Sequence, residues 1–217
     1  DRMVPVVPLT ENQKKIFKAW DEGKHLFIYG AAGTGKTFCA LYKGLYDCLK
    51  ATPSYDQVYL VRSLVATREI GFLPGDHEDK SSLYQIPYKN MVKYMFEAAN
   101  DTDFEMLYGA LKAQETIKFW STSFLRGVTL DNSVVIIDEM QNLNFHELDS
   151  IITRVGENTR IVFCGDAMQT DLRNNNERNG IHDFMRILEV MPDDFAMIEM
   201  GIDDICRSGL VLSLIHI

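Results

Sequence analysis

The eight residues Gly30-Ala31-Ala32-Gly33-Thr34-Gly35-Lys36-Thr37 narrow the folds open to this chain more than any other stretch. They fill every fixed position of the pattern G-x-x-x-x-G-K-[ST]. Before them, His25-Leu26-Phe27-Ile28-Tyr29 is an apolar run of strand length, and Phe38 to Leu49 carries a helical pattern. Strand, glycine turn and helix, in that order, is the context in which the motif has a physical meaning. Glycines let the backbone approach phosphate oxygens without a Cβ in the way. The loop N–H groups and the amino end of the helix then form an anion nest. Lys36 would reach the β- and γ-phosphates there, and the Thr37 hydroxyl would be a ligand for Mg2+. The bland alternative is a glycine-rich turn that binds nothing.

The rest of the chain alternates strand and helix signals. Residues 57–61 (with Arg62 at the carboxyl end), 116–120, 134–137, 160–164 and 195–198 read as further strands. Val134-Val135-Ile136-Ile137 is the clearest of them, since strands covered on both faces are continuous apolar runs. A first helix starts after Thr10, where Gln13 three residues on makes a capping box, and ends at Gly23. Residues 63–82 lack clean periodicity, and 71–76 and 174–180 are loops by composition. Two helical stretches, about 88–99 and 103–113, read as an inserted lobe. Tyr88, Lys89, Lys93, Tyr94 and Phe96 on the first of these suit either a nucleic-acid face or a solvated helix with a core stripe. The class is therefore α/β, a mostly parallel sheet with helices on both faces. The domain runs over 1–211 with a small helical insertion at about 83–114.

Net charge is −9, so no global positive field draws the chain to nucleic acid or acidic membranes, and any such contact needs a local basic patch. Cys39, Cys48, Cys164 and Cys206 show no metal-binding or C-x-x-C spacing and read as reduced thiols of a cytoplasmic protein. No signal peptide and no bilayer-spanning apolar run is present, so no membrane partner is expected. The chain opens on Asp1 rather than Met and is expected to be a fragment.

In open α/β sheets ligands bind beyond the carboxyl ends of the strands. Asp138 and Glu139 end the 134–137 strand, the arrangement in which one acid supports the Mg2+ shell while its neighbour polarises the attacking water. Gln169, after the 160–164 strand, carries an amide able to sense the γ-phosphate. No Asn-Lys-x-Asp guanine signature occurs, which favours ATP over GTP.

The segments 30–37, 71–76, 124–127, 138–142, 153–156 and 165–172 occur in an order that resembles the PhoH-like family, ATPases inducible by phosphate starvation with phage-encoded members. The resemblance covers nearly the whole chain. It implies a RecA-like core similar to the first core of superfamily 1 helicases, and Mg-ATP hydrolysis linked to RNA or single-stranded nucleic acid. It also implies a homo-oligomer, with a hexameric ring as one form, in the host cytoplasm if phage-encoded. Gln13 resembles the glutamine that reads adenine in helicases; closing the capping box explains it equally well. One core alone lacks the arginine that a second core delivers to the phosphoryl group, so Arg207 and Arg154, and more weakly Arg126, are candidates to act on a neighbouring subunit. Met140 departs from the family's small residue after the paired acids without consequence for the chemistry. Residues 212–217 do not continue the family pattern and read as a non-native tail. Two rival functions stay open: a nucleotide-gated binding module with slow hydrolysis, and a P-loop kinase acting on a small molecule.

Overall fold

A computed structural model of the chain describes residues 3–63, 77–166 and 180–205, with only the backbone for 77–83. Six strands form one sheet: β1 (His25–Gly30), β2 (Gln57–Arg62), β3 (Ile117–Ser121), β4 (Ser133–Ile137), β5 (Arg160–Gly165) and β6 (Phe195–Met200). They lie in the order β3-β2-β4-β5-β1-β6, and every pairing is parallel. All carboxyl ends therefore meet at one edge. One strand, β5, separates the glycine-loop strand β1 from the acid-bearing strand β4.

The strand alternation splits the core into two layers. Leu26, Ile28, Val58, Leu60, Val134 and Ile136 face one way, against α1 (Glu11–Asp21) and α2 (Lys36–Leu49). Phe27, Tyr59, Val61, Val135, Ile137 and Phe163 face the other, toward α5 (Phe145–Ile152) and a helix α6 (Gly180–Glu189). Both faces of the sheet are thus covered, which is why β4 and β5 are buried at every position. The capping box read from the sequence opens α1: Thr10 Oγ1 accepts from the Gln13 N–H at 3.2 Å, and Gln13 Oε1 accepts from the Thr10 N–H at 3.4 Å. Cys39, Cys48 and Cys164 are buried free thiols. Among the described residues no helix is long and apolar enough to cross a membrane.

The expected inserted lobe is corrected in two respects. Its first helix, α3 (His77–Met95), begins well before residue 88, and the second, α4, spans Asp101–Ala113. Pro87 lies inside α3, where sequence reasoning treats proline as a breaker. The pair also does not stand apart from the core. It is the crossover from β2 to β3, and Tyr88, Val92, Met95, Phe104, Tyr108 and Leu111 are buried in the same cluster as α2 and the sheet. Of the two readings of the α3 surface, the structure carries the core stripe: Tyr88 and Phe96 are buried, while Lys89 and Lys93 pair with Glu105 and Asp101 at 2.7 Å each.

Candidate functional site

The glycine loop leaves β1 at the carboxyl edge and is pinned at its start. Gly30 has φ +129°, and a Cβ there would run into the Met200 carbonyl, which also accepts from the Ala31 N–H at 2.9 Å. Gly33 and Gly35 hold φ of +73° and +82°, the left-handed region that glycine enters without penalty. Gly35 is the N-cap of α2, so the first-turn N–H groups of that helix point into the loop. The Lys36 ammonium donates to the Ala31 carbonyl at 2.6 Å and pairs with Asp166 at 2.9 Å. It is 5% exposed, so a charge is held inside the loop with its partners around it.

The acids arrive from β4. Ile136 faces the α2 layer and Ile137 the other, so alternation returns Asp138 to the α2 side. There the Thr37 hydroxyl donates to Asp138 Oδ1 at 3.0 Å, the Glu139 N–H donates to the same oxygen at 2.9 Å, and the Tyr88 hydroxyl donates to Oδ2 at 2.6 Å. Glu139 adopts φ 53°, ψ 41°, a left-handed conformation uncommon outside glycine, and this turns its side chain away from the Asp138 position. Gln141 clamps it, donating from Nε2 to Glu139 Oε2 at 2.5 Å while its Oε1 accepts from the Asp166 N–H at 3.3 Å. Burial, and then the neighbouring Asp138 and Asp166 charges, push the Glu139 carboxyl above its ordinary range. Met140 is fully buried against Gly165, where a Cβ would come within 2.7 Å of its Cγ.

Residues 33–37 of the glycine loop, the acids Asp138, Glu139 and Asp166, and Arg62 and Tyr88 line one cavity of about 220 Å³. Thr37 and Asp138 offer hard oxygen donors side by side, as Mg2+ requires when it keeps most of its shell as water and phosphate. No group of three or more His, Cys, Asp or Glu able to hold a metal ion occurs among the described residues.

The structure brings together Gly30 to Thr37, Asp138 and Glu139. Gln13 stands beside them: it is 1% exposed, its Nε2 donates to the Thr34 carbonyl at 3.1 Å, and its Oε1 accepts from the Leu9 N–H at 2.9 Å. It closes the capping box and ties α1 to the loop. Arg154 lies at the opposite edge of the sheet, where its carbonyl accepts from the Leu130 N–H at 2.9 Å ahead of β4. Arg126 follows the turn after β3 and lines a separate cavity with Asn144 and His146. Gln169, Arg207, the 71–76 stretch and the 212–217 tail lie outside the described residues. The sequence pattern gave no role in this cavity to Arg62 or Asp166 and placed Tyr88 only on a nucleic-acid face or a core stripe, because each enters the cavity only through the order of the strands or the course of the β2–β3 crossover.

The family profile described as PhoH-like protein matches residues 5–217. The chain belongs to the PhoH family. A PhoH-like protein of Mycobacterium leprae is 32% identical over 211 residues, 97% of this chain and 57% of that protein. Protein PhoH of Escherichia coli is 27% identical over 215 residues, 98% of this chain and 58% of that protein. The chain thus spans a little over half the length of these PhoH relatives. Among solved structures, the large terminase of a thermophilic bacteriophage in complex with ADP aligns with a TM-score of 0.53 at 13% identity, over 94% of this chain and 48% of that one. The MrfA helicase bound to DNA aligns with a TM-score of 0.51 at 9% identity, over 92% of this chain and 31% of that one. At such identities the likeness concerns the fold, which is the RecA-like P-loop NTPase fold.

Proposed function

We propose that this PhoH-family domain binds ATP with Mg2+, hydrolyses it, and couples turnover to RNA or single-stranded nucleic acid. The observation that carries the reading is the division of labour between adjacent acids. Asp138 is tied to the Thr37 hydroxyl, whereas Glu139 is turned aside by its backbone and has a raised carboxyl pKa. Thr37 and Asp138 would hold Mg2+, directly or through its water, and the ion when bound would neutralise phosphate charge. Lys36 exchanges Asp166 for the phosphates. Glu139, partly desolvated, takes the proton from the attacking water. Gln13 keeps the loop in register through the Thr34 carbonyl. The absence of a guanine signature supports adenine as the base.

The nucleic-acid arm draws on the PhoH resemblance and on a fold shared with a helicase bound to DNA. The test is the steady-state ATPase rate alone, with single-stranded RNA, with single-stranded DNA and with duplex. A basal rate that rises with a single strand and not with duplex is expected. Hydrolysis indifferent to all three would remove the coupling, and tight ATP binding without hydrolysis would leave only a nucleotide-gated binding module.

A further inference from the structure

The cavity holds a cation that none of the motifs accounts for. We infer that Arg62 is a catalytic residue that supplies, from the same chain, the positive charge facing the transferring phosphoryl group. This rests on the hydrolytic reading above. Val61 packs in the α5–α6 layer and Leu60 in the α2 layer, so alternation puts Arg62 on the α2 side, where Thr37 and Asp138 also lie. Register places it beside the acids: Val61 pairs with Ile137, and the Val61 carbonyl accepts from the Asp138 N–H at 2.9 Å. The strand order fixes which elements stand at the two ends of the loop. Gln13 meets the glycine loop from the β1–β6 side, and Arg62 stands on β2, two strands past β5 on the other side. A triphosphate lying along the loop with its base toward α1 presents its γ end to Asp138, Glu139 and Arg62.

The guanidinium is also held by an aromatic ring. It lies over the Tyr84 ring of α3 with its central carbon 5.0 Å from the ring centroid, a contact that orients a cation without consuming its N–H donors. Among the described residues Arg62 makes no hydrogen bond or ion pair with an acid, whereas Lys36, the other cation of the cavity, is paired with Asp166. Its charge is nonetheless close enough to act on both Glu139 and Tyr88. In the step itself the water oxygen bonds to the γ-phosphorus, and the bond to the β–γ bridging oxygen breaks. ADP leaves with the electron pair, and Glu139 takes the proton. Arg62 donates to the equatorial oxygens whose charge is redistributed in that transition state. An arginine in the same chain also removes the need for one from a second core or a neighbouring subunit.

The experiment compares the wild-type chain with Arg62→Ala and Arg62→Gln. In both variants kcat should fall by on the order of 10²-fold or more, while ADP affinity shifts by less than about threefold, since the charge acts on the transition state. Affinity for ADP with aluminium fluoride, which mimics the transferring group, should fall in parallel with kcat. Tyr84→Ala, which removes the support and leaves the charge, should cost about tenfold in kcat. Mixing Arg62→Ala with Lys36→Ala chains should restore nothing, because each defect stays in its own site. A wild-type chain with measurable turnover and an Arg62→Ala variant within about threefold of it would overturn the inference and leave the hydrolytic reading standing. Recovery on mixing would overturn it too, by assigning Arg62 to a neighbour's site. A wild-type chain without any turnover would sink the hydrolytic reading first.

Discussion

Asp138 accepts from three donors, and each comes from a different part of the fold: Thr37 from α2, the Glu139 N–H from its own turn, and Tyr88 from the crossover helix α3. The Tyr88 hydroxyl is positioned to steady Asp138, and burial, then the Asp138 charge, raise its pKa and so favour the protonated, donating form. Tyr88→Phe keeps the buried ring and removes the bond. The Mg2+ concentration for half-maximal turnover should rise by about tenfold, the scale of one hydrogen bond to a charged group, with a smaller change in kcat. A Mg2+ titration that superimposes on the wild type would count against it. Lys36→Ala and Glu139→Gln should fail differently. The first removes a charge contact to the phosphates and weakens binding and turnover together. The second leaves the Thr37–Asp138 pair in place and spares binding. The glycine loop and the paired acids were legible in the sequence because their spacing is fixed by local geometry. Arg62 and Tyr88 were not, because their roles depend on which strands are neighbours and on where α3 passes.

At the scale of elements, α1 is the clearest link between sequence pattern and site. The spacing from Thr10 to Gln13 predicts a capping box, and the structure adds that the Gln13 amide also reaches the Thr34 carbonyl. Gln13→Ala removes the side-chain bonds to the Leu9 and Thr10 N–H groups and to the Thr34 carbonyl but leaves the Thr10 cap on the backbone N–H, so stability should fall by about 1 kcal/mol, the net scale of a hydrogen bond. The thermal midpoint gives that number, and the ratio of ATP to GTP turnover in the same variant tests the adenine reading: an unchanged ratio leaves capping as the whole role. The buried strands β1, β4 and β5 were legible because their runs are continuously apolar. The start of α3 was not, because Pro87 and the absence of a periodic stripe over 63–82 hide it from a pattern search. Its integration into the core needed the contacts of Val92, Phe104 and Tyr108, which no local window shows.

For the whole molecule, the parallel sheet gathers the glycine loop and the paired acids at its carboxyl edge. His25 sits at the amino edge, where its Nδ1 accepts from the Ile161 N–H at 3.1 Å and its ring packs on Phe195. Burial, and then the Arg160 charge, lower its pKa from the ordinary 6.5. The unfolded chain therefore takes up the proton more readily than the folded one. The stabilising contribution is complete above pH 6.5 and is lost as pH falls through the lowered folded value. The urea midpoint should drop on acidification below pH 6.5, and the drop should be shallower in His25→Gln, which keeps an acceptor and cannot be charged. Equal slopes for the two chains would exclude His25 as the group responsible. What the carboxyl edge does to a bound nucleotide is read most directly by single-turnover hydrolysis of ATP pre-bound with Mg2+, free of interference from binding. The wild-type chain should release phosphate, and Glu139→Gln should hold the same amount of ATP and release it slower by roughly 10²-fold or more, the scale of losing a general base. Equal rates in the two chains would contradict the account.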